Sequence, residues 1–285
     1  MDYQELIQYH QEKDADATIA FIQVPKSKAH RFGIASIDAE DGDRGGRVAA
    51  YSEKPQNPES EWASLTVLCF KPEVLYSVLR ENQKDSSFEF GRDIIPMLIR
   101  QDYKIYGYKF SGYWGYTRTI EEYWQSNMDL LGESPLIDLE KWGFRSNLDH
   151  RGIRDFQPVL TGDNAEISNS LVYNGCTIDG EVRNSVLFPG VHVKKGAVIE
   201  NSVIFFNNEI REGCRFNKVV ADVNCSYGQN VVIGAESGSE AQKVTVMGWN
   251  NHVPRQIRIE EGATVYPGIT SSRWPAIVSY GEVLR

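Results

Sequence analysis

Apolar positions divide the chain into two stretches with different rules. Over residues 1 to about 133 the pattern switches between helical and strand periods. "YQELIQYHQEK" carries a helical stripe through Leu6, Ile7 and His10, and "ATIAFIQV" is an apolar run of strand length that ends at Pro25. "GIASIDAEDGDRGGRVAAYSEKP" reads as strand, acidic glycine turn and strand, and "SLTVLCF" as a further strand. "PEVLYSVLREN" predicts a helix with proline in its first turn. "GRDIIPMLIRQ" predicts a short helix interrupted at Pro96, and "KIYGYKF" alternates as a strand does. Thr119 followed by Glu122 is a capping box that starts a helix whose apolar face is Ile120, Tyr123, Trp124 and Leu131.

From about residue 161 the period changes. "NSLV" at Asn169, "NSVL" at Asn184, "NSVI" at Asn201 and "NKVV" at Asn217 form an internal repeat. Between them apolar residues recur every six positions: Val172 and Ile178, then Leu187, Val193 and Ile199, then Ile204, Ile210 and Phe216. Glycines such as Gly175, Gly190, Gly196 and Gly213 fall between these positions. No helix has a six-residue apolar period, whereas a coil of short strands turns one side chain inward on each flat face. The repeat therefore predicts a parallel β-helix, with the first three repeat asparagines satisfying backbone groups at its corners. The join between the halves, 134–160, has no clean period but is apolar enough to pack along a surface.

At 285 residues the chain is long enough for two cores. A formal net charge of −9 argues against a nucleic-acid surface or an anionic membrane as partner. The amino-terminal "MDYQELIQYHQEKDADA" is not a secretory signal, and no apolar run approaches a membrane span. The four cysteines form no CxxC pair and the five histidines are scattered, so we expect reduced thiols in a cytoplasmic protein and no zinc site.

Candidate chemistry is sparse. Glu53 and Lys54 in "YSEKP" end a predicted strand, where α/β sheets present ligand-binding groups. The lysine suits a phosphate and the carboxylate suits sugar hydroxyls, although a solvated turn gives the same pattern. "AEDGDRGGR" does not run from a strand into a helix and lacks the terminal glutamate of a calcium loop, so it reads as a hairpin turn. His192, in a predicted coil, could be an acyltransferase base or a surface side chain.

The ordered series "DYQELIQYHQEKDADATIAFIQVP", "RFGIASID", "EKPQNP", "FGRDIIP", "GYW", "TIEEYWQSNMDLL" and the "NSVL/NSVI" coil resembles the sugar-phosphate nucleotidyltransferases, and among them the bacterial glucose-1-phosphate adenylyltransferases of glycogen synthesis. The resemblance covers nearly the whole chain. It implies an α/β fold, an incomplete Rossmann-like nucleotidyltransferase domain (1–133), then an inter-domain connection (134–160) and a left-handed β-helix of hexapeptide repeats (161–285). It implies transfer of an adenylyl group from ATP to glucose 1-phosphate with release of pyrophosphate and with Mg²⁺ as cofactor. It also implies an oligomer, homomeric or heteromeric, built through the β-helix. Glu53 and Lys54 match the family's sugar-phosphate pair, Ser64 a serine that contacts the sugar, and Tyr113 and Trp114 the aromatic wall of that pocket. Asp93 matches a structural position.

Three departures qualify this. Tyr116, Thr117 and Arg118 stand where the family reads Asp-Val-Gly, and that aspartate binds Mg²⁺. Thr66 stands where the family has glycine. The family's glycine-rich nucleotide loop and a second metal aspartate precede the segment matching "MDY". The expectation is a chain without metal ligands that is inactive by itself and has exposed apolar sheet edges. The alternative is a non-catalytic regulatory or assembly subunit. A β-helix acyltransferase is a third reading, which the leading motifs oppose.

Overall fold

The structure, a computed structural model, describes residues 1–83, 87–143, 155–235 and 243–285. Residues 144–154, which make up much of the expected connection, lie outside the described residues. The chain forms two compact units, Met1–Trp114 and Gly115–Arg285.

In the first unit α1 (Tyr3–Glu12) leads into β1 (Ala17–Gln23). A short helix, α2 (Lys26–Ala29), precedes the hairpin of β2 (Gly33–Ile37) and β3 (Gly45–Glu53). Then come β4 (Trp62–Phe70), α3 (Pro72–Asn82), a π-helical turn at Phe90–Ile94, α4 (Ile95–Arg100) and β5 (Ile105–Lys109). Pro96 falls within the first turn of α4, where its missing N–H has no cost, so the interruption lies in the turn before it. The expected open sheet edges are corrected. The strands run β1-β4-β2-β3-β5 and close, because β5 pairs with β1 in parallel while the other pairings are antiparallel. Each of the five strands thus has neighbours on both sides, so this ring presents no unpaired edge.

β1 is buried along almost its whole length. Ala17, Ile19 and Phe21 pack with Val74, Val78, Ile94, Leu98 and Ile105, while Ala20 packs with Leu6 and Tyr9 of α1. The buried face of α1 is Leu6, Tyr9 and His10, and Ile7 is exposed, so the expected stripe is rotated by part of a turn. His10 tolerates burial because its Nδ1 lies 2.8 Å from the Thr18 hydroxyl.

The second unit is the β-helix with a helix on its flank. Two seven-stranded parallel sheets and one six-stranded parallel sheet form its faces. Ile178, Leu187, Val193, Ile199, Ile204, Ile210 and Phe216 are all buried in its core, as the six-residue period requires. The corners differ from the expectation. Asn169, Asn184 and Asn201 take positive φ (44°, 46° and 48°), and in the next coil Lys218 (58°) takes that role instead of Asn217. The asparagine side chains bond one another: Asn169 donates to Asn184 (2.8 Å), Asn184 to Asn201 (2.7 Å) and Asn201 to Asn217 (3.0 Å). The serines beside them take the backbone role, since the Ser185 hydroxyl accepts from Ser202 N–H and that of Ser202 from Val219 N–H.

Helix α5 (Ile120–Met128) begins with the expected capping box at Thr119 and Glu122. Tyr123, Trp124 and Met128 lie on Val186, Val203 and Val220 of one sheet. Trp124 Nε1 donates to the Asn201 carbonyl at 2.6 Å, and the Tyr123 ring stacks on Phe205, which stacks on Phe188.

Candidate functional site

The end of β3 holds the sugar-phosphate candidates. Tyr51 and Glu53 lie two residues apart and therefore project from one face of the strand. The Tyr51 hydroxyl donates to Glu53 Oε2 at 3.1 Å. Burial first, and then the Glu53 carboxylate, push the Tyr51 phenol far above its usual range, so it stays a neutral donor. Glu53 Oε1 lies 3.3 Å from the Lys54 ammonium. The Glu53 side chain is 21% exposed and that of Lys54 is 53% exposed, so solvent screens the pair and leaves the ammonium open to an anion.

Lys54 has φ +48°, a left-handed conformation costing about 1–3 kcal/mol for a residue with a side chain. The strand continues past Glu53 by one bond, because Lys54 N–H donates to the Phe32 carbonyl at 3.0 Å. The Phe32 ring meets Trp114 with centroids 5.5 Å apart and planes tilted by 59°. Lys54 is thus tied by its backbone to a residue that touches Trp114. Tyr113, the neighbour of Trp114 in sequence, is half-buried.

Ser64 lies on β4 beside a bulge, since β4 advances from Ser64 to Leu68 while β1 advances only from Phe21 back to Ile19. The Ser64 hydroxyl accepts from Thr66 N–H at 3.2 Å. Thr66 has φ +59°, so a β-branched residue occupies the backbone region that glycine enters freely.

Sequence reasoning missed Tyr51, Gly33 and Gly91. The i,i+2 spacing of Tyr51 and Glu53 on a strand was the available signal. A Cβ on Gly33 would overlap the Tyr51 hydroxyl and lie 2.8 Å from Glu53 Oε2. A Cβ on Gly91 would overlap Glu53 Oε2 and lie 3.1 Å from the Tyr51 hydroxyl. Gly91 belongs to the π-helical turn, which Asp93 closes by accepting from Glu89 N–H at 2.8 Å. Gly91→Ala is expected to leave the melting temperature nearly unchanged, because the overlapped atom is the end of a flexible side chain. The same change should weaken sugar-phosphate binding by about tenfold, because it displaces that carboxylate. Calorimetric titration beside a melting curve checks both, and an unaltered affinity would remove Glu53 from the site.

The second unit offers little chemistry. Arg118 lies over the Tyr116 ring with its guanidinium 5.6 Å from the centroid. A phenol beside a guanidinium does not suit Mg²⁺, which takes carboxylate oxygens. Among the described residues no group of three His, Cys, Asp or Glu side chains could hold a metal. The residues here do not fit the cofactor that the resemblance implies. His192 lies on a coil strand between Thr177 and Glu209, half-buried.

Comparison with known proteins agrees with both halves. Residues 1–133 match the family "Nucleotidyl transferase", and residues 156–249 match the "GlmU-like, C-terminal hexapeptide" family. A glucose-1-phosphate adenylyltransferase of Desulfitobacterium hafniense (strain Y51) is 38% identical over 272 residues, covering 93% of this chain and 66% of that protein. One from Acetivibrio thermocellus is 34% identical over 291 residues, covering 97% and 66%. One from Clostridium novyi (strain NT) is 40% identical over 203 residues, covering 70% and 50%. The chain spans just under two thirds of the length of the first two relatives. With a nucleotidyl transferase domain followed by a hexapeptide β-helix, and with these relatives across both, the chain belongs to the nucleotidyltransferase family.

Proposed function

We propose that this chain binds glucose 1-phosphate at the end of β3 and forms the sugar-phosphate side of an adenylyl transfer. In that reaction a phosphate oxygen of the sugar attacks the α-phosphorus of ATP, and pyrophosphate leaves with its bonding electron pair. The observation that carries the reading is the exposed Lys54 ammonium beside the oriented Glu53 carboxylate, with the Phe32–Trp114 pair next to them. Lys54 neutralises the phosphate, Glu53 accepts bonds from sugar hydroxyls, and the aromatic rings and Tyr113 offer a wall to the sugar. Titration of the chain with glucose 1-phosphate should give saturable heat at millimolar ligand or below, and none with glucose alone. No heat at millimolar ligand would reduce the first unit to scaffold.

A second reading has its own support. Tyr116 and Arg118 replace a metal-binding arrangement with a cation held over an aromatic ring. This favours a chain that supplies binding or assembly to an oligomer and does not turn over alone. Mixing it with ATP, glucose 1-phosphate and Mg²⁺ should release no pyrophosphate, and robust release would overturn this reading. The same proposal includes assembly through the β-helix, whose last strands leave Ile277 and Val283 exposed. It also includes a cytoplasmic location, which suits four free thiols, three of them buried. Among the described residues no helix is long and apolar enough to cross a membrane. The division at residue 133 belongs to the proposal as well, with α5 part of the transferase match and packed on the coil.

A further inference from the structure

One face of the β-helix carries an open hollow of about 480 Å³, lined by Arg211, Ser226, Gly228, Gln229, His252 and Arg255 among others. No carboxylate lines it, in a chain with 39 acidic and 30 basic residues. The hollow at Arg215 and Arg258, on another face, includes Glu200. An acidic chain has thus gathered two guanidiniums and an imidazole around one space without an acid among them.

Three consecutive strands, Glu209–Ile210, Ser226–Tyr227 and His252–Val253, run beneath it, with Glu209 beside Ser226 and Ser226 beside His252. Ile210, Tyr227 and Val253 point into the core and fix these strands. Two residues beyond the first row, the next outward row reads Arg211, Gly228 and Pro254. Neighbouring strands stand about 4.8 Å apart, so Arg211 and the corner that carries Arg255 are two spacings, about 9.6 Å, apart. No side chain fills the row between them. A Cβ on Gly228 would lie 2.5 Å from the Arg255 amide nitrogen, so the glycine lets the Pro254–Arg255 corner close on the coil beneath.

The donors around this gap have capacity left. Arg211 Nε lies 3.4 Å from Glu209 Oε1, an exposed pair that solvent screens and that leaves the terminal nitrogens of the guanidinium to a ligand. Arg255 is exposed and has no ion pair among the described residues. Ser226 Oγ lies 2.7 Å from His252 Nδ1. When that hydroxyl donates, Nε2 carries the ring hydrogen and is the donor that remains. Glu212, at the edge of the hollow, accepts from Gln229 Nε2 at 3.1 Å. Its carboxyl is held below its ordinary range first by its own backbone amide and by Gln229, and further by Arg211 and Lys194, as a positive edge requires.

We propose that this hollow binds a diphosphate group, free or carried on a nucleoside, with Arg211 at one end, Arg255 at the other and the His252 imidazole beside it. A guanidinium fork matches phosphate oxygens bidentately and keeps its charge at any working pH. A single phosphate meets one fork and leaves the other unpaired, whereas two linked phosphates meet both. The site belongs to the second unit and does not depend on the sugar-phosphate site of the first.

The test uses the full chain carrying Lys54→Ala, so that the proposed sugar-phosphate site does not contribute, and a chelator, so that no divalent metal masks the ligand. Calorimetric titration with inorganic pyrophosphate should give saturable heat at millimolar ligand or below. Inorganic phosphate and glucose 1-phosphate should each bind about tenfold more weakly, the effect of one lost charge-assisted contact. On this background Arg211→Gln and Arg255→Gln should each weaken pyrophosphate by about tenfold and leave the melting temperature unchanged, since both side chains are exposed. Glu209→Gln releases Arg211 and should tighten binding by about two- to fivefold, which loss of a merely structural contact would not do. ADP beside pyrophosphate names the source. Tighter ADP makes the ligand a nucleoside diphosphate, and tighter pyrophosphate makes it the free anion.

Three outcomes overturn the proposal and leave the function of the first unit untouched. Absence of heat with both pyrophosphate and ADP at millimolar ligand would mean that the hollow binds neither. Inorganic phosphate bound as tightly as pyrophosphate would mean that the span between the arginines is not read. Unchanged affinity in both arginine variants would put the anion elsewhere.

Discussion

Glucose 1-phosphate is expected to raise the melting temperature of the wild-type chain, and Lys54→Ala to abolish that rise. The ammonium is half exposed and lies beside a carboxylate whose other oxygen already has a donor, so it has capacity left for a phosphate. A charge-assisted bond of this kind contributes about 1.5–3 kcal/mol, which corresponds to roughly ten- to a hundredfold in affinity. A ligand that binds only the folded state raises stability with the logarithm of its concentration over its dissociation constant. A loss of that size therefore removes the shift at any concentration near the wild-type constant. The unliganded variant should melt close to wild type, because an exposed ion pair contributes about 0–1 kcal/mol and alanine at φ +48° meets the same backbone strain. A melting series with and without ligand reads both quantities. A retained shift would place the phosphate elsewhere. A collapse of the unliganded protein would make Lys54 a structural residue.

The largest stability effect is expected in the coil. Phe216 is 1% exposed and packs edge-to-face on Tyr227 with ring centroids 4.8 Å apart. Phe216→Ala should cost about 3–5 kcal/mol, from lost burial and the cavity left behind. That is a large share of the roughly 5–15 kcal/mol that holds a domain together. Each coil contacts only its neighbours, so a weak coil in the middle uncouples the two ends. Urea denaturation followed by far-ultraviolet circular dichroism should show an earlier transition, with the first unit's own transition little changed. A cost below about 1 kcal/mol would mean that this coil repacks, against the close packing of protein interiors.

Two features were readable before any coordinates because they are local or repeated. The six-residue period assigned the coil core from Ile178 to Phe216, since a periodic pattern admits one inward face. The capping box at Thr119 and Glu122 was readable because both bonds form within one helical turn. The asparagines were only half readable. Their left-handed corners follow from residue type, but their bonds to each other join coils about sixteen residues apart.

The candidate site divides along the same line. Sequence alone determined that Glu53 and Lys54 end a strand, and resemblance added Ser64, Tyr113 and Trp114. The crowding of the Tyr51 hydroxyl and the Glu53 carboxylate against two glycines is a property of tertiary structure. It requires Gly33 and Gly91 to approach from two further elements. Strand pairing also decided that the ring closes through β1 and β5, which are about ninety residues apart in the chain. Local patterns specify elements because neighbouring residues must share a face. Hydrogen-bond partners across elements depend on register and on the close approach of backbones, and neither is written in the spacing of apolar residues along one strand.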